Sequence, residues 1–188
     1  MEAIKLNTNL CGECDTPYEI YLLYQKYKQK RDVGTEDYTR LLSEIEALES
    51  QYNHRPEYYV LKGDIYRQLG YMDLALENYE KAIEKNPNNA TYYSILGDEY
   101  LRAGFFDKAI DVFTTLLENN NLTNYTYYAS DRSIRLIAAC CVGRWDIAQE
   151  DITYISDDYV FYTKPVKGRI TKKRLLDVIE NKKILEME

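Results

Sequence analysis

One six-residue pattern occurs three times in this chain of 188 residues. It appears as Gly70-Tyr71-Met72-Asp73-Leu74-Ala75, as Gly104-Phe105-Phe106-Asp107-Lys108-Ala109 and as Gly143-Arg144-Trp145-Asp146-Ile147-Ala148. Glycine suits a left-handed helix C-cap because it lacks a Cβ. Aspartate suits the first turn of the next helix, where backbone N–H groups have no partner. Alanine lets two helices approach closely. The pattern therefore predicts a tight turn between two packed helices, made three times.

The first two copies lie 34 residues apart, and their flanks keep the same register. Tyr59, Lys62, Gly63, Tyr66, Ala75, Tyr79, Ala82 and Pro87 form one copy. Tyr93, Leu96, Gly97, Tyr100, Ala109, Phe113, Leu116 and Asn121 form the next. These residues resemble the tetratricopeptide repeat, whose signature places an aromatic, Leu-Gly, Tyr, Ala, Phe and Pro at these offsets. Lys62 and Asn121 depart from it. The resemblance implies an all-α fold: a right-handed helical-hairpin solenoid of about three to four repeats plus a C-terminal capping helix. Residues 56–89 and 90–123 are the clear repeats.

Two degenerate repeats flank them. Leu41, Ile45 and Leu48 sit 34 residues before Ala75, Tyr79 and Ala82, which marks 17–55 as an earlier copy. Thr16-Pro17-Tyr18-Glu19 is a capping box with Pro at the first helical position. Residues 129–155 form a later copy, displaced by five residues, with Arg132, Leu136 and Ala139 at the aromatic, Gly and Tyr positions. Helices are expected near 17–30, 35–52, 56–69, 73–86, 90–103, 107–119, 128–142 and 146–155. A last helix is expected over 171–187, with Thr171 as N-cap and Leu175, Leu176, Ile179 and Leu185 on its apolar side. The domain plan is then an N-terminal segment 1–16, a solenoid 17–155, and a basic linker with helix over 156–188. Residues 1–52 and 171–187 are the natural caps of the stack.

Charge and composition narrow the function. Formal net charge is −7, and residues 163–188 carry eight Lys/Arg against four Asp/Glu, so the remainder carries −11. An acidic body opposes wrapping of nucleic acid. The N-terminus lacks a basic and apolar leader, and no apolar run reaches ~18 residues, so a cytoplasmic, non-membrane protein is expected. Three Asn-x-Thr triplets (Asn89, Asn121, Asn124) then read as chance. Twenty tyrosines stand against four Phe and one Trp. Base composition and a tyrosine-rich contact surface both account for that excess.

A catalytic set is hard to assemble. Cys11 and Cys14 make a lone CxxC; zinc usually takes four ligands, a redox pair needs a βαβ context, and a plain N-terminal turn is the remaining reading. Cys140 and Cys141, inside Ile137–Val142, read as buried small hydrophobes. His54 is the single histidine, and no phosphate loop is present. No enzyme activity, cofactor or metal is expected.

In tetratricopeptide proteins the first helix of each pair lines a groove at repeat positions two, five, nine, twelve and thirteen. The resemblance carries these to Glu57, Val60, Asp64, Arg67, Gln68 and to Thr91, Ser94, Asp98, Leu101, Arg102. Val60, Asp64 and Ile95 replace the basic and amide groups with which one subfamily grips acidic chaperone tails. Asp64 and Asp98 instead favour a partner offering Lys, Arg or amide donors, offset by Arg67 and Arg102. Asp64 and Asp98 are expected to face one cavity. Tyr125, Tyr127 and Tyr128 in the polar loop are candidate contacts or part of a spacer. Lys172 and Lys173 in the tail are candidate contacts or a basic strip lying on the acidic body. The expected function is a non-catalytic module binding a peptide or protein in its concave groove. Two alternatives remain open: a small acidic immunity or inhibitor protein neutralising a basic toxin or enzyme, and a nucleic-acid-associated adaptor using the basic C-terminal segment.

Overall fold

In a computed structural model, the described residues are 16–29, 34–123, 128–161, 166 and 168–186, with the side chains of residues 128 and 129 outside that set. The helices are α1 (Tyr18–Gln29), α2 (Thr35–Glu46), α3 (Glu49–Tyr52), α4 (Pro56–Gln68), α5 (Met72–Lys85), α6 (Ala90–Arg102), α7 (Phe106–Glu118), α8 (Tyr128–Val142), α9 (Trp145–Asp151) and α10 (Lys172–Glu180). The fold is a series of helical hairpins, as the repeat pattern predicts. A 3₁₀ turn (Ile152–Tyr154) and two short strands, β1 (Val160–Phe161) and β2 (Ile170–Thr171), precede α10. The strands pair antiparallel, Val160 with Thr171 and Phe161 with Ile170.

The repeated turn has one geometry. Gly70, Gly104 and Gly143 have φ of 82°, 79° and 78°. The residue after each glycine donates its N–H five residues back: Tyr71 to Tyr66 (3.0 Å), Phe105 to Tyr100 (2.9 Å) and Arg144 to Ala139 (2.9 Å). These bonds satisfy helix-end carbonyls that have no partner within the helix. Asp73, Asp107 and Asp146 stand in the first turn of the following helices. Nothing lies within 4 Å of a Cβ built on Gly104, so a side chain there meets only the cost of the left-handed backbone. Gly104→Val should therefore destabilise by about 1–2 kcal/mol. Urea unfolding followed by circular dichroism measures this; an unchanged midpoint would mean the turn tolerates a branched residue.

A second glycine in each clear repeat sets the helix spacing. A Cβ on Gly63 would lie 2.7 Å from the Tyr79 ring, and one on Gly97 would lie 2.5 Å from the Phe113 ring. The ring of the second helix thus rests on the bare backbone of the first. In the third hairpin the equivalent positions hold Leu136 and Ile152, a larger residue opposite a smaller one.

The chain divides into two compact units, Met1–Tyr92 with Leu122–Asn124, and Tyr93–Asn121 with Tyr125–Glu188. In the first unit Ile20, Leu41, Ile45, Tyr58, Leu61, Ile65 and Tyr79 are almost fully buried. Leu122–Asn124 joins it through Thr123, whose N–H donates to the Asn88 carbonyl (2.6 Å) and whose carbonyl accepts from Ala90 (3.0 Å). In the second unit the core runs through Ile110, Phe113, Leu136, Ile137, Ala138 and Cys140.

Three helices are shorter than expected, and the one expected over 146–155 stops at Asp151 and tightens into the 3₁₀ turn Ile152–Tyr154. The helix expected over 35–52 breaks at Ala47–Leu48, where Leu48 donates to Ile45, three residues back rather than four. The tightened turn re-aims α3, burying Tyr52, whose hydroxyl donates to Glu19 Oε2 (2.8 Å). The last helix stops at Glu180 instead of residue 187. Asn181 donates its amide to the Asp177 carbonyl (2.8 Å), Lys182 turns to a φ of 49°, and Lys183 donates to Val178 (3.0 Å). Residues 183–186 are then non-helical, and Leu185 is buried there rather than on a helix. Thr171 caps α10 as expected, accepting from the Arg174 N–H (3.2 Å). Leu176 is exposed, not part of the apolar face.

Candidate functional site

The first helix of a hairpin presents its outward positions to whatever lies beyond the packed pair. On α4 these are Glu57, Val60, Asp64, Arg67 and Gln68. Two of them are turned inward: Val60 and Glu57 are 1% and 2% exposed. Their expected contact with a partner is therefore corrected to a packing role for Val60 and a buried charge for Glu57. Arg55 Nε lies 3.3 Å from Glu57 Oε2, yet burial still raises the Glu57 carboxyl above the usual carboxylate range. A group raised in the fold contributes stability in its protonated form and loses it as pH rises through the folded value. Glu57→Gln should accordingly raise the melting temperature at neutral pH, and the gap should close as the pH falls into the carboxylate range. A gap that widens toward low pH would show that the ionised carboxylate stabilises the fold.

Asp64, Arg67 and Gln68 are brought together with a residue of α1. Asp64 accepts the Tyr79 hydroxyl proton at 2.8 Å, which ties it to α5. Its carboxyl is raised by burial, against the lowering effects of that bond and of Arg67. The expected role of Asp64 as a reader of partner cations is corrected in part, since its first obligation is to Tyr79. Arg67 stands 3.9 Å from Asp64, and its Nη2 donates instead to the Tyr27 hydroxyl at 3.2 Å. Gln68 Nε2 donates to the same oxygen, also at 3.2 Å. Tyr27 packs between Tyr24 (ring centres 6.3 Å apart, stacked) and Tyr38 (6.0 Å). Lys28 lies over the Tyr24 ring at 4.8 Å. Sequence reasoning missed Tyr27; its signal was the Tyr24–Tyr27 pair, three residues apart on one helix.

On α6 the positions separate similarly. Leu101 is fully buried, so its expected contact with a partner is corrected to a core role. The Thr91 N–H donates to Asn89 Oδ1 (3.0 Å), and Ser94 Oγ donates to Asp131 Oδ1 of α8 (3.2 Å). Asp98 accepts from Arg102 Nε and Nη2, both at 2.8 Å, so its charge is matched on its own helix.

On α8 the same register falls on Ser133 and Cys140, and the C-terminal segment covers both. Ser133 Oγ is 3.0 Å from the Tyr159 hydroxyl, and the Leu185 N–H donates to the Cys140 carbonyl at 3.1 Å. Leu175, Val178, Ile179 and Leu185 are buried in this unit. The thiols of Cys140 and Cys141 are pushed up to about 12 by burial, so both are protonated and unreactive at neutral pH. The same unit holds a charge network absent from the sequence expectations. Arg135 (4% exposed) donates through Nε and Nη2 to the two oxygens of fully buried Asp151, at 2.7 and 2.8 Å. Arg132 adds a bond of 2.8 Å to the same carboxylate and stacks over Tyr154 at 3.9 Å.

In the tail, Lys172 Nζ pairs with Asp157 Oδ1 at 2.8 Å, while Lys173 is exposed. Tyr125, Tyr127, Cys11 and Cys14 lie outside the described residues, as does the Tyr128 side chain. Among the described residues no group of three or more His, Cys, Asp or Glu could hold a metal ion, and no helix is long and apolar enough to cross a membrane. A cleft of about 550 Å³ between α1 and α2 has an apolar floor of Leu22, Leu23, Ala47 and Leu48. The Lys26–Glu44 ion pair (2.5 Å) joins its two walls.

The family model for the TPR repeat matches residues 63–104, which run from the first close-packing glycine to the second turn glycine. Among solved structures the chain is similar to MamA from AMB-1, with 19% identity, a TM-score of 0.57 and coverage of 73% of this chain and 75% of the other. A tetratricopeptide repeat protein from Parabacteroides merdae gives 18%, 0.63, 87% and 60% for the same measures. YrrB, described as a TPR protein with an unusual peptide-binding site, gives 15%, 0.57, 72% and 64%. A search of the curated proteins finds no match.

Proposed function

We propose that this chain, a tetratricopeptide repeat protein, is a non-catalytic module that binds a peptide or protein on the first helices of its hairpins. The observation that carries this reading is the convergence of Arg67, Gln68 and Tyr27, polar and accessible groups held in place by aromatic packing. Aromatic and arginine groups of this kind supply most of the energy at protein interfaces. The peptide-binding site named for YrrB is in keeping with it.

The binding positions are narrowed by burial to Arg67, Gln68, Thr91, Ser94, Asp98 and Arg102. Arg102 and Gln68 are exposed, and Arg67, Thr91, Ser94 and Asp98 are half-buried. The covering of α8 by the C-terminal segment leaves α4, in the first unit, and α6 as the helices that carry the proposed positions, each taken by itself. The repeats supply helix faces rather than reacting groups, which supports a role without catalysis.

The test is peptide selection on the immobilised full chain, followed by affinity measurements on variants. Arg67→Ala and Arg102→Ala should each weaken a selected peptide by about 1–2 kcal/mol, and Lys172→Glu with Lys173→Glu should change it little. Wild-type affinity in both arginine variants, with loss in the lysine variant, would move recognition to the tail.

A further inference from the structure

We infer that residues 181–186 form a strap occupying a peptide site at the C-terminal end of α8, and that this site, once the strap leaves, takes an extended partner segment presenting a leucine together with its N–H. The site lies on α8 and goes beyond the peptide-binding reading of α4 and α6, which stands or falls without it.

The strap and α8 belong to one compact unit. In the first two hairpin turns the glycine N–H donates to the carbonyl three residues back, Gly70 to Arg67 (3.1 Å) and Gly104 to Leu101 (3.0 Å). In the third turn the carbonyl in that place is that of Cys140, and it accepts from Leu185 at 3.1 Å. The Leu185 side chain beside this donor is 2% exposed. Ile184 rests on the turn itself, with its Cδ1 3.3 Å from a Cβ built on Gly143, whereas nothing lies within 4 Å of one built on Gly70 or Gly104. A non-helical segment therefore holds the end of a first helix through one main-chain bond and one buried side chain. Peptide sites combine these two elements, the main chain giving affinity and the side-chain pocket specificity. Any occupant must bring an N–H on the residue whose side chain is buried, which excludes proline there.

The strap is poised to leave. It starts with the same turn that ends the hairpin helices: Lys183 donates to Val178, five residues back, at 3.0 Å. Lys182 takes the place of the glycine, at a φ of 49°, and among the described residues it is the one non-glycine with a positive φ. A left-handed lysine carries a steric cost that glycine does not. Release relieves that cost and returns backbone freedom to the strap. Ile184 is 53% exposed and Asn181, Lys182, Lys183 and Glu186 are exposed, so Leu185 is the one strap residue that is buried. Segments with so few buried contacts are the ones that open locally. A partner segment carrying the same leucine then competes for the Cys140 carbonyl, and the closed strap lowers its apparent affinity in proportion to the closed fraction.

The probe is the capped octapeptide Asn-Lys-Lys-Ile-Leu-Glu-Met-Glu, the sequence of residues 181–188, titrated into the ¹⁵N-labelled full chain. Leu185→Ala, its fold checked by circular dichroism, should bind the peptide about tenfold more tightly than the wild-type chain, with shifts at Cys140, Cys141 and Gly143. A methyl group on the nitrogen of the peptide's leucine keeps the side chain and removes the donor, and should weaken that binding about fivefold. Without peptide, Lys182→Gly should slow deuterium exchange of the Leu185 N–H about fivefold, because the closed turn no longer carries the strain. Equal affinity of the wild-type and Leu185→Ala chains, equal affinity of the plain and methylated peptides, or Leu185 exchange unchanged by Lys182→Gly would each overturn the inference. If Leu185→Ala does not fold, the exchange measurement decides. Library-selected peptides that shift Arg67, Gln68 and Arg102 while the octapeptide binds neither chain would remove this site and leave the peptide-binding reading intact.

Discussion

Asp151→Ala is expected to cost about 3–5 kcal/mol of stability, because it strands a buried arginine. The Asp151 carboxylate is fully buried and accepts two bonds from Arg135 and one from Arg132. Arg135 is itself 4% exposed and has two further bonds, to Thr114 Oγ1 of α7 (3.2 Å) and to Glu150 Oε1 (3.3 Å). Glu150, 58% exposed and 3.3 Å from both arginines, is too solvated to replace the lost carboxylate. Glu150→Ala is the internal control and should cost no more than about 1 kcal/mol. Urea unfolding of both variants measures the difference. Equal small losses would show that water reaches the site and screens the arginines.

Gly97→Leu should cost about 1–3 kcal/mol or somewhat more, because the Cβ alone would lie 2.5 Å from Phe113. Phe113 is fully buried, so its ring has little room to withdraw. The third hairpin suggests the compensation, with Leu136 and Ile152 at the matching positions. Gly97→Leu combined with Phe113→Ile should therefore be less damaging than the sum of the two single changes. Full additivity in that double-mutant cycle would mean that the two positions do not constrain one another.

The repeat was legible because a local cause fixes each of its parts. The three turn glycines need no distant partner to adopt positive φ, and Gly63 and Gly97 sit at constant offsets from the rings they meet. The C-terminal fold-back was not legible. Residues 156–170 have no helical period, and the bond from Leu185 to Cys140 joins positions 45 residues apart. The helix end at Asn181 gave a local hint, since asparagine tolerates the turn that follows, but the apolar spacing of Leu175, Ile179 and Leu185 argued for a longer helix. Arg135 and Asp151 carry no sequence signal of burial; their pairing between α8 and the end of α9 makes them interior.

The candidate site was partly legible. The family resemblance, carried over by repeat register, put Arg67, Gln68, Asp98 and Arg102 on the outward side of their helices. It could not foresee that Glu57, Val60 and Leu101 would be buried, because burial depends on how hairpins close. Nor could it show that Asp64 answers first to Tyr79. The Asp64–Arg67 and Asp98–Arg102 ion pairs lie three or four residues apart on one helix, a spacing visible in the sequence, whereas the bonds to Tyr27 and Tyr79 cross between helices.

The central claim is that the first helices of the hairpins carry the binding positions. Backbone amide shifts of the ¹⁵N-labelled full chain, recorded during titration with a peptide selected on it, test that claim most directly. The account predicts the largest shifts at Tyr27, Arg67, Gln68, Asp98 and Arg102, with little change at Tyr71 and Phe105 in the turns or at Lys172 and Lys173. Shifts confined to the turns or to residues 169–186, with α4 and α6 silent, would contradict it.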